Sequence, residues 1–353
     1  MKQILSVSLL FLLLNSCGPS KSPGYTDTET RNVPPINAAS KKPDFIMAFG
    51  SCNRQNLPQP LWDPILQNKP DVFIWGGDNV YADTNDMKQL ENDYAIQKNH
   101  PEYKKLLAST KVLATWDDHD YGLNDGGKDW EYKKESQQKF LDFIDVSKTD
   151  PRRKREGVYY SEIFNTPKGS VKVIILDTRY FRSDLIKSET PGKRYDPNIE
   201  GTILGEKQWR WLEKELSESK ADFNILVSSI QILAAEHGFE TWGNFPSEVE
   251  KLKQLLRSTR AENVLILSGD RHISEISRTE VDGLDFPLVD FTSSGLTHTY
   301  TGFTGEPNQL RTGEVVSDLS FGVLLIDIEN SRITMQMRGR DNNLQQEFVE
   351  NYK

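Results

Sequence analysis

The chain has 353 residues, 36% apolar and 27% charged, enough for one large core or two smaller ones, which excludes disordered and fibrous classes. Its 52 acids against 43 bases leave a net charge of −9, so a nucleic-acid scaffold role, which needs a basic surface, is excluded as well. With 2 cysteines there is no disulfide framework.

From the N-terminus, Lys2 is followed by an apolar run over residues 4–14 and then by Leu14-Asn15-Ser16-Cys17. A charged start, a short apolar stretch and small residues at a cut form a secretory signal, here residues 1–16. The run is shorter than the roughly 20 residues a membrane-spanning helix needs. With a cysteine at the cut, the segment resembles a bacterial lipobox, whose cysteine becomes the lipidated first residue. The expectation is a lipoprotein of the bacterial cell envelope, anchored through Cys17 and facing away from the cytoplasm. Residues 17–43, rich in Ser, Pro, Lys, Thr and Asn, read as a flexible tether, and 44–353 as the folded domain. That leaves Cys52 alone in the domain, as a buried thiol or a metal ligand.

Short apolar runs then recur, each ending in chemically capable residues. Residues 45–49 lead to Gly50-Ser51-Cys52-Asn53, and 72–75 to Gly76-Gly77-Asp78-Asn79-Val80-Tyr81. Residues 112–116 lead to Asp117-Asp118-His119-Asp120, and 171–176 to Asp177-Thr178-Arg179. Residues 225–227 lead to Ser228-Ser229-Ile230-Gln231, and 264–267 to Ser268-Gly269-Asp270-Arg271-His272. Runs this short, rich in Val, Ile and Phe and bounded by Gly and Asp, predict strands buried on both faces. Helical spacing predicts helices over 60–69, 87–99, 103–109, 130–144, 206–217 and 246–257. Residues 288–291, 321–328 and 332–337 are predicted strands without intervening helices, so a mostly antiparallel addition is expected. The fold class is α/β or α+β, layered, with ligands beyond the carboxyl ends of the strands.

Those strand ends supply Cys52, Asp78, Tyr81, Asp118, Asp270 and His272, the inventory of a dinuclear metal site. Two glycines before Asp78 allow a tight turn that brings its carboxylate close to an ion. Tyr81 returns to the same place if the chain enters a helical turn, and an extended chain aims Asp270 and His272 to one side. One carboxylate can bridge cations about 3.5–4 Å apart, and such pairs clamp phosphoryl oxygens in hydrolases. Thiolate, phenolate, carboxylate and imidazole favour ferric iron, whereas Asp78, Asp118 and Asp270 make a hard oxygen site for Ca²⁺, Mg²⁺ or Mn²⁺. Without cations these carboxylates would repel one another and raise each other's pKa values.

Taken singly, each motif also has a plain structural reading: Cys52 as a core thiol, Asp117 to Asp120 as a turn and helix cap. His100, His237 and His298 have no companion motif and read as structural or surface residues, His298 with a place at the pocket rim as its alternative. Arg152-Arg153-Lys154-Arg155 reads as a solvated loop. Serine-hydrolase, phosphate-loop, dinucleotide and zinc-protease signatures do not occur.

In order, Phe49-Gly50-Ser51-Cys52-Asn53, Gly77-Asp78-Asn79-Val80-Tyr81-Ala82-Asp83, Trp116-Asp117-Asp118-His119-Asp120 and Gly269-Asp270-Arg271-His272 resemble the motifs of a known family. It is the PhoD-like alkaline phosphatase/phosphodiesterase family of metallophosphoesterases. The resemblance runs from about residue 45 to 276, and its Gly-Asp-x-x-Tyr segment also resembles purple acid phosphatases. It implies a four-layer αββα sandwich of two mixed sheets flanked by helices. It also implies an iron-plus-calcium centre, with Mg²⁺, Mn²⁺ or Zn²⁺ as substitutes for Ca²⁺. By that resemblance Cys52, Asp78, Tyr81 and His272 hold Fe³⁺, Asp78 bridges, Asp118 and Asp270 hold the second ion, and His119 touches phosphate oxygens. The chain departs from general metallophosphoesterases at three points. Ser51-Cys52 replaces Asp-x-His, Asp118 stands where Asn is usual, and Gln231 falls near a usual histidine.

The expected function is an extracytoplasmic metal-dependent phosphoric-ester hydrolase, monomeric, using a metal-bound hydroxide on small phosphate mono- or diesters. Asp118 and His119 are the expected catalytic pair, with His119 protonating the leaving oxygen. Arg54, Asn79, Arg179 and Arg271 are expected to hold the phosphate. Mono- against diester preference stays open, as do contributions from Gln231 and His298. The alternative is a non-catalytic surface lipoprotein that binds a phosphorylated or carbohydrate ligand, since fold alone does not make an enzyme.

Overall fold

The computed structural model describes residues 42–352, so the signal segment, Cys17 and most of the expected tether lie outside the described residues. The chain enters through β1 (Phe45–Gly50), crosses by α1 (Trp62–Gln67) to β2 (Val72–Gly76), and by α2 (Met87–Asn99) and α3 (Pro101–Ser109) to β3 (Lys111–Thr115). After α4 (Asp118–Tyr121) and α5 (Lys133–Phe143) come β4 (Tyr160–Thr166) and β5 (Gly169–Ile175). A small ribbon, β6 (Ile186–Lys187) with β7 (Tyr195–Asp196), precedes α6 (Gly205–Ser217), β8 (Phe223–Val227), α7 (Pro246–Thr259) and β9 (Val264–Ser268). The rest is strand and loop: β10 (Ser274–Thr279), β11 (Leu288–Ser293), β12 (Arg311–Val316), β13 (Phe321–Asp327), β14 (Arg332–Arg338) and β15 (Leu344–Asn351).

These strands build a six-stranded sheet, β15-β14-β13-β1-β2-β3, and a seven-stranded sheet, β12-β10-β11-β9-β8-β5-β4. Within them β1, β2 and β3 run parallel, as do β5, β8, β9 and β11. The flanking strands are antiparallel. The six reactive strand ends therefore belong to two sheets, three to each, rather than to one. β11, expected in the antiparallel addition, pairs parallel to β9.

Alternation along each strand explains the layers. Met47, Phe49, Val72 and Ile74 point between the sheets and share a core with Val173, Ile225 and Leu265. Phe49 meets Phe291 of the other sheet edge-on, ring centres 4.9 Å apart. Ala48, Phe73 and Trp75 point the opposite way, under Trp62, Leu90, Tyr94, Tyr103, Leu106 and Phe140 of the first helices. On the seven-stranded sheet lie Trp209, Leu212 and Leu216 of α6 with Leu252 and Leu256 of α7. The result is the expected αββα sandwich, and apolar runs on both strand faces follow from cover on both faces.

Candidate metal centre

At one end of the sandwich the loops after β1, β2, β3 and β9 touch, and two glycines make that contact feasible. A Cβ on Gly77, itself at φ +98°, would lie 2.6 Å from the Asp117 Cβ and 2.9 Å from that of Ser229. One on Gly269 would lie 2.6 Å from the Ser51 hydroxyl of the other sheet. Only glycine lets the backbones approach this closely. The same loops hold non-glycine residues in the left-handed region: Cys52 at φ 59°, Asp78 at 50°, Asp270 at 68° and His272 at 56°. That conformation costs roughly 1–2 kcal/mol per residue, and its concentration at proposed ligands marks backbone bent to aim side chains. It corrects the expectation of an extended chain for Asp270 and His272. Tyr81 likewise returns through an irregular bend and not a helical turn.

Asp78 is the hinge of the site. Its Oδ2 lies 3.4 Å from the Cys52 sulfur and accepts from the Tyr81 hydroxyl at 3.0 Å. The Tyr81 hydroxyl is in turn 2.9 Å from His272 Nε2. Its Oδ1 faces the other way, accepting from the His119 backbone N–H at 3.3 Å. Asp78 therefore joins two donor groups, one with Cys52 and His272, the other with Asp118 and His119, each with donor atoms within 4.8 Å of one another. Asp118 is also shared with a third group of that spacing, Asp117 and Asp270. Spacings near 3 Å are the edges of a coordination polyhedron with bonds of about 2.0–2.3 Å, and sulfur, phenol, carboxylate and imidazole make a transition-metal donor set.

The electrostatics agree. Burial lifts the Cys52 thiol, with Asp78 and Asp270 adding to the effect. Burial also lifts the Tyr81 phenol and the Asp78 and Asp270 carboxyls, which face further acids in Asp118 and Asp117. Asp118 differs: burial opposes its charge, but Arg179 and His119 hold it below the usual carboxylate range. A buried group of this composition is stable as anions only with cations among them. The residues present therefore fit bound cations.

At the mouth, His119 Nδ1 lies 2.8 Å from the Asp83 carboxylate, and its ring stacks on Tyr81 at 4.1 Å. Burial works against a charge on His119, yet Asp78, Asp83 and Asp118 outweigh it and raise its pKa to about 10. The exposed Arg54 places its guanidinium 4.5 Å above the Tyr81 ring. His298 also reaches the site, its ring 4.5 Å from that of His272 and 4.9 Å from that of Tyr81.

Three expected phosphate-holding residues are committed elsewhere. Asn79 is fully buried, and its Nδ2 donates to the Thr115 carbonyl at 2.9 Å and to Asp120 Oδ2 at 2.6 Å. Both amide hydrogens are thereby used. Arg179, also fully buried, pairs with Asp117 and Glu240 at 2.6 Å each and so braces the acidic group from behind. Arg271 pairs with Glu306 at 2.6 Å and lies 4.2 Å above Phe239, which pins the loop between Asp270 and His272. Gln231 spends its amide on Glu275 and Thr292. Sequence reasoning missed Asp83 and Asp117, although both stand inside the quoted motifs. It missed Ser294 and Glu240 because no local pattern marks them.

The model of a PhoD-like phosphatase family matches residues 47–336. Alkaline phosphatase D of Bacillus subtilis is 25% identical over 326 aligned positions, covering 76% of this chain and 53% of that protein. The chain thus spans about half the length of this curated relative. A solved structure of PhoD superposes with a TM-score of 0.68 at 17% identity, covering 88% of this chain and 69% of that one. A dimetal phosphatase from Danio rerio gives 0.53 at 14% identity, covering 88% and 100%. GAP50, titled the anchor in the inner membrane complex of Plasmodium, gives 0.54 at 15%, covering 88% and 90%. At these identities the structures speak for the fold alone.

Proposed function

Because this chain belongs to the PhoD-like phosphatase family, whose model spans residues 47–336, we propose that it is a metal-dependent phosphoric-ester hydrolase. One observation carries the reading: the two oxygens of Asp78 face two different donor groups. Cys52, Asp78, Tyr81 and His272 would hold ferric iron, and Asp78, Asp118 and Asp270 a hard cation, with Ca²⁺ first in order. Together such ions supply Lewis-acid charge and an activated water at the phosphorus.

The chain's own residues supply the rest. Arg54 is the exposed guanidinium at the mouth and can hold non-bridging phosphate oxygens by charge-assisted hydrogen bonds. His119 Nδ1 is committed to Asp83, which leaves Nε2 to protonate the departing oxygen. Its pKa of about 10 belongs to the protein's own charges, and cations on Asp78 and Asp118 will bring it down toward working pH. A groove of about 510 Å³, lined by Thr297, His298, Arg340, Asn343 and Gln345, could seat the alcohol part of an ester.

The reading includes export and lipid attachment at Cys17, supported by the residue 1–17 pattern, and a monomeric enzyme acting on small phosphate esters. Among the described residues no helix is long and apolar enough to cross a membrane. The test is metal analysis of purified protein with chromogenic phosphomonoester and phosphodiester assays before and after chelation. Iron with chelator-sensitive turnover supports the hydrolase. Metal-free protein without turnover supports the non-catalytic binder instead.

A further inference from the structure

The Ser294 hydroxyl lies 2.9 Å from the Cys52 sulfur. Ser294 follows β11, is fully buried, and accepts the His272 backbone N–H at 2.8 Å. A backbone N–H can only donate, so the hydroxyl receives there and keeps its own hydrogen to give. The sulfur's other polar neighbours offer less. The Tyr81 hydroxyl also faces the sulfur, but it gives its hydrogen to Asp78 Oδ2 at 3.0 Å and is itself a proposed ligand. Asp78 Oδ2 at 3.4 Å and the Asp270 carbonyl at 3.6 Å are acceptors once the thiol is ionised. The Ser51 hydroxyl is 3.8 Å from the sulfur but only 3.0 Å from the Ser293 carbonyl, where its hydrogen goes.

We propose that Ser294 is a positioning residue of the metal centre, donating its hydroxyl hydrogen to the Cys52 thiolate while it receives the His272 N–H. The inference rests on the metal-centre reading above. Cys52 follows a strand of one sheet and His272 a strand of the other, so a single hydroxyl ties ligands from both halves of the sandwich. It also anchors His272 at the left-handed backbone that aims its ring. A hydrogen bond to a ligating thiolate withdraws electron density from sulfur, the means by which outer partners tune a metal's electronics and affinity.

The experiment loads wild-type, Ser294→Ala and Ser294→Thr proteins with ferric iron. It records the sulfur-to-iron absorption band, the iron dissociation constant and the apo-protein melting temperature. Loss of the donor raises the sulfur orbital, so Ser294→Ala should move the band to longer wavelength, while loss of the acceptor that anchors His272 should weaken iron binding about tenfold. Ser294→Thr, which keeps the hydroxyl, should restore the wild-type band even where the extra methyl lowers the melting temperature. A purely packing role predicts a lower melting temperature with an unmoved band, and that result overturns the inference. Resonance Raman of the wild type in H₂O and D₂O makes the test independent of any variant's folding, because the iron–sulfur stretch should shift on deuteration. An insensitive stretch rejects the hydrogen bond. A wild-type protein that takes up no iron rejects the metal-centre reading itself, a separate outcome.

Discussion

Asp78 sets the residue scale, because among the described residues no other side chain faces both donor groups. Asp78→Ala should therefore abolish binding of both metals, whereas Cys52→Ala or Asp118→Ala should mainly weaken one. Retention of both metals at wild-type occupancy in the Asp78 variant would remove it from the bridging role. His119 gives a second prediction. Its raised pKa depends in part on Asp83, so Asp83→Asn should pull the alkaline limb of the pH–rate profile to lower pH. Turnover should drop about 10–100-fold, the usual loss when a carboxylate behind a functional imidazole is removed. An unmoved limb separates His119 from proton transfer. The proposed ligands stood out as a set, because several apolar runs end in reactive residue types together, whereas an Asp after any one strand is equally a turn or cap residue. The fates of Asn79, Arg179 and Arg271 were not. Their partners Asp120, Glu240 and Glu306 lie 41, 61 and 35 positions away, and a buried ion pair leaves no local mark.

At the scale of elements, strands covered on both faces announce themselves by unbroken apolar runs, and β1, β2, β5, β8 and β9 were readable for that reason. β4 and β15 were not, because each is an edge strand with exposed residues along it, such as Ile163 and Val349. β10 is buried but polar, with Ser274 bonded to Ser320 and Glu275 and Ser277 to Asn308, so it lacks the apolar signal. The run from Arg152 to Arg155 is no freely solvated loop. Arg152 pairs with Asp150, Arg153 with Asp142, and Arg155 covers Tyr159. Loop conformation was the least legible feature, since left-handed Cys52 runs against residue preference and left-handed His272 is fixed by partners far along the chain, Ser294 and Tyr300. Gly77→Ala tests that constraint. At φ +98° the new Cβ costs about 1–3 kcal/mol in backbone strain, and the contact with Asp117 adds to it. Apo-protein melting temperature should fall and both metals should bind more weakly. An alanine variant with wild-type metal affinity would show the loop to be looser than its geometry implies.

For the whole molecule, the proposed anchor and the folded sandwich should be separable. Cys17→Ser should release the protein from membranes with turnover intact, and protein still bound after a high-salt wash rejects the lipid reading. The strongest whole-molecule consequence is how pH acts on stability. The sandwich buries an unusual set of acids at one end. Burial raises Asp120 and Glu240 to about 7 and Asp290 to about 6. Asp78, Asp117 and Asp270 are raised for the same first cause. An acid whose folded pKa exceeds its unfolded value binds more protons when folded, so stability falls as pH rises through the interval between the two. His237, His272 and His298, lowered by burial to about 3, 4 and 3, act in the opposite sense, but only below their ordinary value of 6.5. Above that pH they are neutral folded or unfolded, while His119, raised to about 10, adds to the carboxylates' effect. Chelated protein should therefore lose melting temperature steadily between pH 6.5 and 8. Bound cations reverse the cause, because they favour the ionised carboxylates and displace their protons. Metal-loaded protein should show a flat or rising melting temperature over the same interval, and the gap between the two curves should widen with pH. Calorimetric scans with chelator and with iron plus calcium measure both curves. Parallel slopes would mean that the buried acids are neutralised by the protein itself and that this end of the sandwich was not built to hold cations.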